Sequence, residues 1–273
     1  MGDISAWIGS KMTRSDRLDV ARVNALLVAL GDDPIANGSI LPPLYHWLHF
    51  WDVSAPDHTG HDGHPQKGGF LPPIELPRRM WAGGSLRFIR PLRLGQAISR
   101  SSQITDISHK EGKSGKLAFV KVHHEISDDH GVAIEEQQDI VYREAARQTS
   151  PLPIGGDLPS APWQNDIVPD PVLLFRFSAL TMNSHRIHYD RPYALAEETY
   201  PALVVQGPLQ AILLMRLAAR NLSTPVTAFE FRGLSPAFDT IMLHTCGEAH
   251  GAGAKLWNRQ GNTMTMSASA STE

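Results

Sequence analysis

Cysteine is almost absent from this chain of 273 residues: Cys246 stands alone, which excludes an intramolecular disulfide and fits a reducing compartment. A buried, unreactive thiol accounts for it. An excess of one charge is lacking too. Against 28 aspartates and glutamates stand 25 lysines and arginines, a formal net charge of -3, so no basic surplus points to nucleic acid. No apolar run approaches the roughly 20 residues of a membrane-spanning helix. The opening Met1-Gly-Asp-Ile-Ser-Ala-Trp7 has neither the charged start of a secretory signal nor an Arg-rich transit pattern. The expectation is a cytoplasmic protein with no membrane or nucleic-acid partner and room for two domains.

What is present falls into successive patterns. Ser15-Asp16 leads into Leu18, Ala21, Val23, Leu26, Leu27 and Leu30, with Gly31 beyond; a capping residue, helical spacing and a terminal glycine predict an amphipathic helix. Residues 41–51 are unusually aromatic and read as a buried wall, the functional alternative being that Trp47 and Trp51 line an acyl or pantetheine channel. From Asp52 to Met80 the chain is rich in Pro, Gly and His, a long irregular loop of the functional or mobile kind. Its His58, His61 and His64 have no cysteine partner and are expected to be solvated, holding no metal. Strands are predicted over 86–95, 96–107, 117–126 and 132–142, divided by turn clusters at 110–115 and 127–131. In the third, Ala118, Val120, Val122 and Ile126 alternate with polar neighbours, so one face is buried and His123 and His124 lie on opposite faces. Each of these two reads as a surface or satisfied histidine.

Residues 146–168, with Pro151, Pro153, Pro159 and Pro162, read as a linker. It divides the chain into 1–145 and 169–273. Further strands are predicted over 241–249 and 254–269, and 208–222 is apolar nearly all round, as an enclosed helix must be. Phe229-Glu-Phe-Arg-Gly-Leu-Ser-Pro echoes Leu86-Arg-Phe-Ile-Arg-Pro, a sign of internal repetition. Helix followed by antiparallel strands, twice over, is an α+β plan.

The chemistry concentrates in Phe175-Arg-Phe-Ser-Ala-Leu-Thr-Met-Asn-Ser-His-Arg-Ile-His-Tyr-Asp190. Beyond it, Leu203-Val-Val-Gln-Gly-Pro-Leu-Gln-Ala-Ile-Leu-Leu-Met215 runs strand-like to Gly207-Pro208 and turns there into the apolar helix. Proline at a first helical position is pre-set for helix entry, and the free N–H groups there favour an anion or a polarised carbonyl. These residues resemble the MaoC-like hotdog hydratases and dehydratases, whose motif Leu-Ser-Gly-Asp-x-Asn-Pro-Leu-His-x-Asp activates water with its Asp and His. In the matching Leu180-Thr-Met-Asn-Ser-His-Arg-Ile-His-Tyr-Asp190, Asn183 stands at the catalytic Asp, His185 at the Asn, and His188 at the His. Over 177–190 the variant is similar to the mitochondrial-type 3-hydroxyacyl-thioester dehydratases and the hydratases of mesaconyl-type CoA esters.

The resemblance implies a double hotdog, in which each repeat wraps a curved antiparallel sheet around a central helix. The first repeat is expected to be degenerate, its helix shortened or replaced by 41–51 and the following loop, which opens space for the acyl group. The implied activity is that of a hydro-lyase acting on an enoyl-CoA thioester, perhaps a small branched dicarboxylic one such as mesaconyl-CoA. The alternatives are a 3-hydroxyacyl-thioester dehydratase of fatty-acid synthesis and a non-catalytic acyl-CoA binder. No cofactor is implied, and homodimerisation stays open.

Water addition needs a base, an acid and donors for the enolate-like oxygen. His188 is the candidate for proton transfer; the Gly207 N–H is the candidate for binding the thioester oxygen, its missing side chain permitting close approach. An amide cannot act as a base. Either His185 and His188 form the acid/base pair, or Asn183 holds the water while His188 makes both transfers. As half a zinc site, His185-x-x-His188 has no third ligand nearby in sequence. Arg186 and Arg232 are candidates to meet a carboxylate or a CoA phosphate, otherwise solvated charges. Tyr189 joins them as a substrate contact, with simple packing as its alternative, and Asp190 is expected to be mainly structural.

Overall fold

In the computed structural model, which describes residues 4–112, 115–145, 149, 151–156 and 160–273, polar alternation makes strands where sequence suggested the approach to a helix. Strand β1 (Lys11–Arg17) alternates exposed with half-buried residues, the signature of one face on a core. Ser15 and Asp16 therefore belong to β1. The cap of α1 (Val20–Ala29) is Asp19, whose carboxylate accepts from the N–H groups of Ala21 and Arg22. The helix buries Val23, Leu26 and Leu27.

The first repeat continues with β2 (Arg78–Phe88), β3 (Ala97–Gly112), β4 (Gly115–Asp128) and β5 (Gly131–Arg143). Strand β2 ends before Pro91, so much of the strand expected over 86–95 is a loop that still buries Leu92 and Leu94. Lys113 and Ser114 of the expected turn lie outside the described residues, as do 1–3 of the opening segment and 146–148, 150 and 157–159 of the expected linker. One part of that linker is corrected: β6 (Trp163–Ile167) is a strand paired with β8 (Leu243–His250). Its five residues alternate half-buried with exposed, too short a run to register as periodicity. The second repeat then adds α2 (Pro171–Thr181), α3 (Arg191–Ala196), α4 (Gly207–Asn221), β7 (Ala228–Gly233), β9 (Gly253–Gln260) and β10 (Thr263–Ser271). What sequence suggested as one strand over 254–269 is the β9–β10 hairpin, turning at Gly261 with φ +49°.

The ten strands of the described residues join one antiparallel sheet in the order β1-β3-β4-β5-β2-β7-β10-β9-β8-β6. Each repeat contributes the same arrangement, with its first strand outermost and its second at the centre. The repeats meet where β2 pairs with β7, and Leu86 faces Phe229 there. Those are the first residues of the two echoing segments, so the echo marks equivalent strands beside a pseudo-two-fold axis. This is the double hotdog.

The two repeats differ in what covers the sheet. Helix α4 buries Leu209, Ile212, Leu213, Leu214, Met215 and Leu217, each worth about 1.5–3 kcal/mol on full burial, and packs across β8, β9 and β10. In the first repeat no long helix takes that place among the described residues. The 3-10 turn Tyr45–Leu48 and the apolar residues Phe70, Leu71, Ile74 and Leu76 of the long loop cover its sheet instead. Between its two apolar clusters runs a polar belt formed by Arg100 and Ser102 of β3, His124 of β4 and Glu136 of β5. Glu136 meets His46 at 2.9 Å and the Trp47 indole at 3.0 Å. Burial works against its charge, but the hydrogen bond and charge of His46 and the charge of His124 prevail and hold the carboxyl down at about 2. His124 is buried rather than at the surface and only half satisfied: Nδ1 meets Ser102 Oγ at 2.7 Å, while Nε2 has no partner. No helix among the described residues is long and apolar enough to cross a membrane.

Candidate active site

Helix α2, capped by Asp170, stops at Met182, which adopts φ +52° in the left-handed region. Asn183 then makes a tight turn, its Oδ1 accepting from the His185 N–H at 3.1 Å. The amide side chain is thereby engaged in shaping the chain. That turn delivers His185 into a 3-10 turn, Arg186–His188.

His188 is buried and locked: its Nδ1 lies 2.7 Å from the Val204 carbonyl, while the Val204 N–H donates to Ile187 O at 3.0 Å. Only the Nδ1–H tautomer can donate to a carbonyl, so Nε2 carries the lone pair. Burial pushes the imidazole down to about 4. At neutral pH it is an uncharged base. The His185 ring sits 5.5 Å from that of His188, centre to centre, and is driven below its ordinary range by burial and by His64 and His188 beside it.

Three residues past Val204, α4 begins at Gly207. Its N-cap is Gln206, which makes no capping bond because its amide donates instead to Leu174 O at 2.9 Å and Ser178 Oγ at 3.0 Å. Asp side chains cap α1, α2 and α3; α4 keeps its first-turn donors for something else. A Cβ on Gly207 would be 3.7 Å from Trp81 O, ordinary contact, so the protein's own packing does not require glycine here.

The long loop of the first repeat completes the site, contrary to its expected solvation. His58 and His61 are exposed as expected, but Asp62, Gly63 and His64 dock on the motif. Arg186 N donates to Asp62 O at 2.9 Å and Ser184 Oγ to Gly63 O. His64 Nδ1 meets Asp62 Oδ2 at 2.9 Å, and the His64 ring lies 4.2 Å from that of His185. For Asp62 burial raises the carboxyl, yet the hydrogen bond and charge of His64 hold it far below the usual range. His64 itself is lowered by burial in spite of Asp62. Asp62, His64 and His185 each bring a ligand-type atom within 4.8 Å of the others. Asp62 and His64 are hydrogen-bonded to one another, a carboxylate–imidazole pair facing the second imidazole of His185. No local motif announced this pairing; the available signal was a Asp-Gly-His triplet in the loop of a chain whose motif lacks its carboxylate.

Gly63 makes the docking geometrically sharp. Its φ is +89°, and a Cβ there would run into the Ser184 carbonyl. Gly63→Ala is therefore expected to lose about 1–3 kcal/mol from backbone conformation alone and to unseat the loop. A lowered melting temperature together with a lowered turnover rate checks this.

The remaining candidates are placed elsewhere. Arg186 is spent on Asp190 at 2.8 Å, on His61 O at 3.1 Å and over the Tyr193 ring at 4.2 Å, so it clamps loop to motif. Tyr189 donates to Ser184 O at 3.0 Å and is exposed. Asp190 caps α3 through the Tyr193 N–H. Arg232 lies in β7 on the face opposite to buried Phe229 and Phe231, away from the side on which α4 packs. Trp47 stacks edge-on against Trp81 and Phe231, and Trp51 bridges Leu48 O and Leu180 O, tying the aromatic wall to the motif helix.

Comparison with solved structures places this architecture among the MaoC-like hotdog proteins. A MaoC-like dehydratase from Phytophthora capsici superposes with a TM-score of 0.73 at 13% identity, covering 97% of this chain and 95% of that one. HtdX of Mycobacterium tuberculosis gives 0.69 at 17% identity, covering 97% and 100%. At the sequence level, the model of "Hydroxyacyl-thioester dehydratase type 2" matches residues 44–239. A mesaconyl-C(4)-CoA hydratase of Chloroflexus aurantiacus is 47% identical, over 91% of this chain and 90% of that protein. The mitochondrial hydroxyacyl-thioester dehydratase type 2 of Schizosaccharomyces pombe is 30% identical, over 88% and 90%. The chain belongs to the hydroxyacyl-thioester dehydratase type 2 family.

Proposed function

We propose that this protein is a hydro-lyase that adds water to, or removes it from, the double bond of an enoyl-CoA thioester. The observation that carries the reading is the pairing of a neutral, tautomer-fixed imidazole at His188 with the uncapped N-terminus of α4 three residues beyond its Val204 anchor. In hydration an imidazole takes a proton from water as the oxygen bonds to the β-carbon. The π electrons move to the thioester oxygen, where the Gly207 N–H and the helix dipole favour negative charge. The imidazolium then returns the proton to the α-carbon. His185, its ring 5.5 Å from that of His188, is the second member of the acid/base pair; Asn183 holds the turn that presents it.

A small branched dicarboxylic acyl group of the mesaconyl type is the substrate this reading favours. The relative from Chloroflexus acts on such an ester by name. In the polar belt of the first repeat, Arg100 supports the same class: its guanidinium lies over the Phe50 ring at 5.1 Å, its Nε is buried without a partner, and the carboxylates of Glu136 and Asp52 act on it through their charge without forming an ion pair with it. A distal carboxylate is the complement of such a cation. Following the loss of the conjugated thioester across a panel of enoyl-CoA esters tests both levels. Mesaconyl-type esters are expected to turn over best, and Arg100→Leu to lower kcat/KM for them by about 10–100-fold, the value of one charged hydrogen-bonded contact, while a monocarboxylic enoyl ester is little affected. Uniform preference for long monocarboxylic chains would instead identify a fatty-acid dehydratase, and binding without turnover a non-catalytic hotdog. With the β2–β7 pairing already made inside one chain, a further homodimer is an addition to the fold rather than a requirement of it.

A further inference from the structure

The motif of this chain has an amide where water activation calls for a carboxylate. Resting on the function just proposed, we infer that Asp62, delivered by the loop of the first repeat and oriented by His64, is the catalytic carboxylate, and that Asp62, His64 and His185 together hold the reacting water.

Four observations carry this. First, the atoms are spaced for it. Asp62, His64 and His185 each bring a ligand-type atom within 4.8 Å of the others, close enough for one small molecule such as water to touch all three groups. Second, the groups are chemically suited. Asp62 accepts only; His64 gives its Nδ1–H to Asp62 at 2.9 Å and so presents a lone pair at Nε2. The ring of His185 makes no hydrogen bond to any described residue, leaving both nitrogens available. Third, the loop is fixed where it must be. Gly63 is clasped by Ser184, Arg186 N binds Asp62 O, and the Arg186 guanidinium binds His61 O; all three bonds fall on the motif segment between Asn183 and His188. Fourth, the turn fixes the two groups as one unit: Asp62 Oδ1 accepts from the His64 N–H at 3.0 Å while Oδ2 accepts from the His64 ring.

In the reaction the water donates hydrogen bonds into this cradle. One of its protons passes to an imidazole of the His185–His188 pair while the oxygen bonds to the β-carbon and the π electrons move to the thioester oxygen. The negative charge of Asp62 stabilises the transient imidazolium, directly at His185 and through His64. The proton returns to the α-carbon as the carbonyl re-forms, so one water is consumed and no oxidant or reductant is required.

The experiment is steady-state hydration of an enoyl-CoA ester by wild type, D62N and D62A, the last with and without formate. Asparagine keeps the size of the side chain and the oxygen that accepts from the His64 N–H, so folding, checked by circular dichroism and melting temperature, is expected to hold. The D62N substitution is expected to lower kcat by about 100-fold or more, the range of an acid–base group, with KM changed by less than about threefold. Formate is expected to restore D62A in a saturable way, which a merely structural role would not allow. Wild-type kcat in D62N overturns the inference, as does an effect confined to KM. So does loss of wild-type activity in chelator with recovery on added zinc, since the three groups would then be serving a metal. If wild type hydrates no ester of the panel, the proposed function itself fails and this inference goes with it.

Discussion

His188→Ala is expected to reduce hydration of an enoyl-CoA ester by about 1,000- to 10,000-fold, at the upper end of what a positioned proton-transfer group contributes. The loss should fall on kcat, because the ring lies among buried residues behind the motif and its Nε2 is the only atom offered to the reaction. Its other nitrogen is committed to Val204 O at 2.7 Å. That bond makes alanine an imperfect probe: it leaves the Val204 carbonyl without a donor at a buried position, at a cost of about 1–3 kcal/mol. His188→Asn separates the two effects. Its amide N–H can reach the same carbonyl, while nothing replaces the Nε2 lone pair. Both variants are therefore expected to be inactive, with the asparagine variant melting closer to wild type. Retention of turnover in the asparagine variant would show that the proton moves by another route, and would leave His188 as an anchor for the segment that leads to α4.

How much of this could be read in advance follows from which contacts are local. The repeat was legible because its echo lies in strands whose alternation is a property of a few consecutive residues, and the Leu86–Phe229 pairing explains why those positions look alike. Helix α4 was legible because enclosure demands apolar residues on every side. Helix α1 was anticipated with its cap three residues early: Ser15, Asp16 and Asp19 are all competent caps, and only the pairing of β1 with β3 decides among them. Strand β6 hid in a proline-rich stretch because an edge strand of five residues buries too little to leave a pattern. At the site, the motif residues were plain, as their spacing is fixed by one turn. The Asp62–His64 pair was not. It meets the motif across more than 120 residues of chain, and in a segment of Gly, Pro and His the composition of a docked loop and of a solvated one is the same. Arg186 illustrates the converse: a basic residue within a motif suggests an anion, yet the nearest carboxylate, Asp190, lies one helical turn on and takes it.

Acid is expected to unfold this protein well before its carboxylates titrate. His49, His124 and His188 are each pushed by burial from about 6.5 in the unfolded chain to about 4 in the fold, and His64 and His185 are lowered in the same direction by the same cause. Above about pH 6.5 all are neutral in both states, and the stability they permit is fully present. As the pH falls from 6.5 towards 4, the unfolded chain takes up protons that the folded chain refuses, so folding weakens. Each such group contributes about 1 kcal/mol per pH unit in this window. Three together remove on the order of 5 kcal/mol or more, comparable with the whole stability of an ordinary domain. The depressed carboxylates Asp16, Asp62 and Glu136 act in the same sense but only below about pH 4.5, where their unfolded forms begin to protonate. Urea midpoints measured from pH 8 to pH 4 should therefore be flat down to about 6.5 and then fall steeply; a midpoint that held steady to pH 4.5 would contradict the burial of these rings. His124→Gln, which keeps a polar group beside Ser102 and removes the titration of one of the five buried rings, is expected to make that fall measurably shallower. The sensitivity is the counterpart of the chemistry. The same burial that keeps His188 uncharged, and so able to accept a proton from water at neutral pH, is what makes the folded chain unable to accept one from acid.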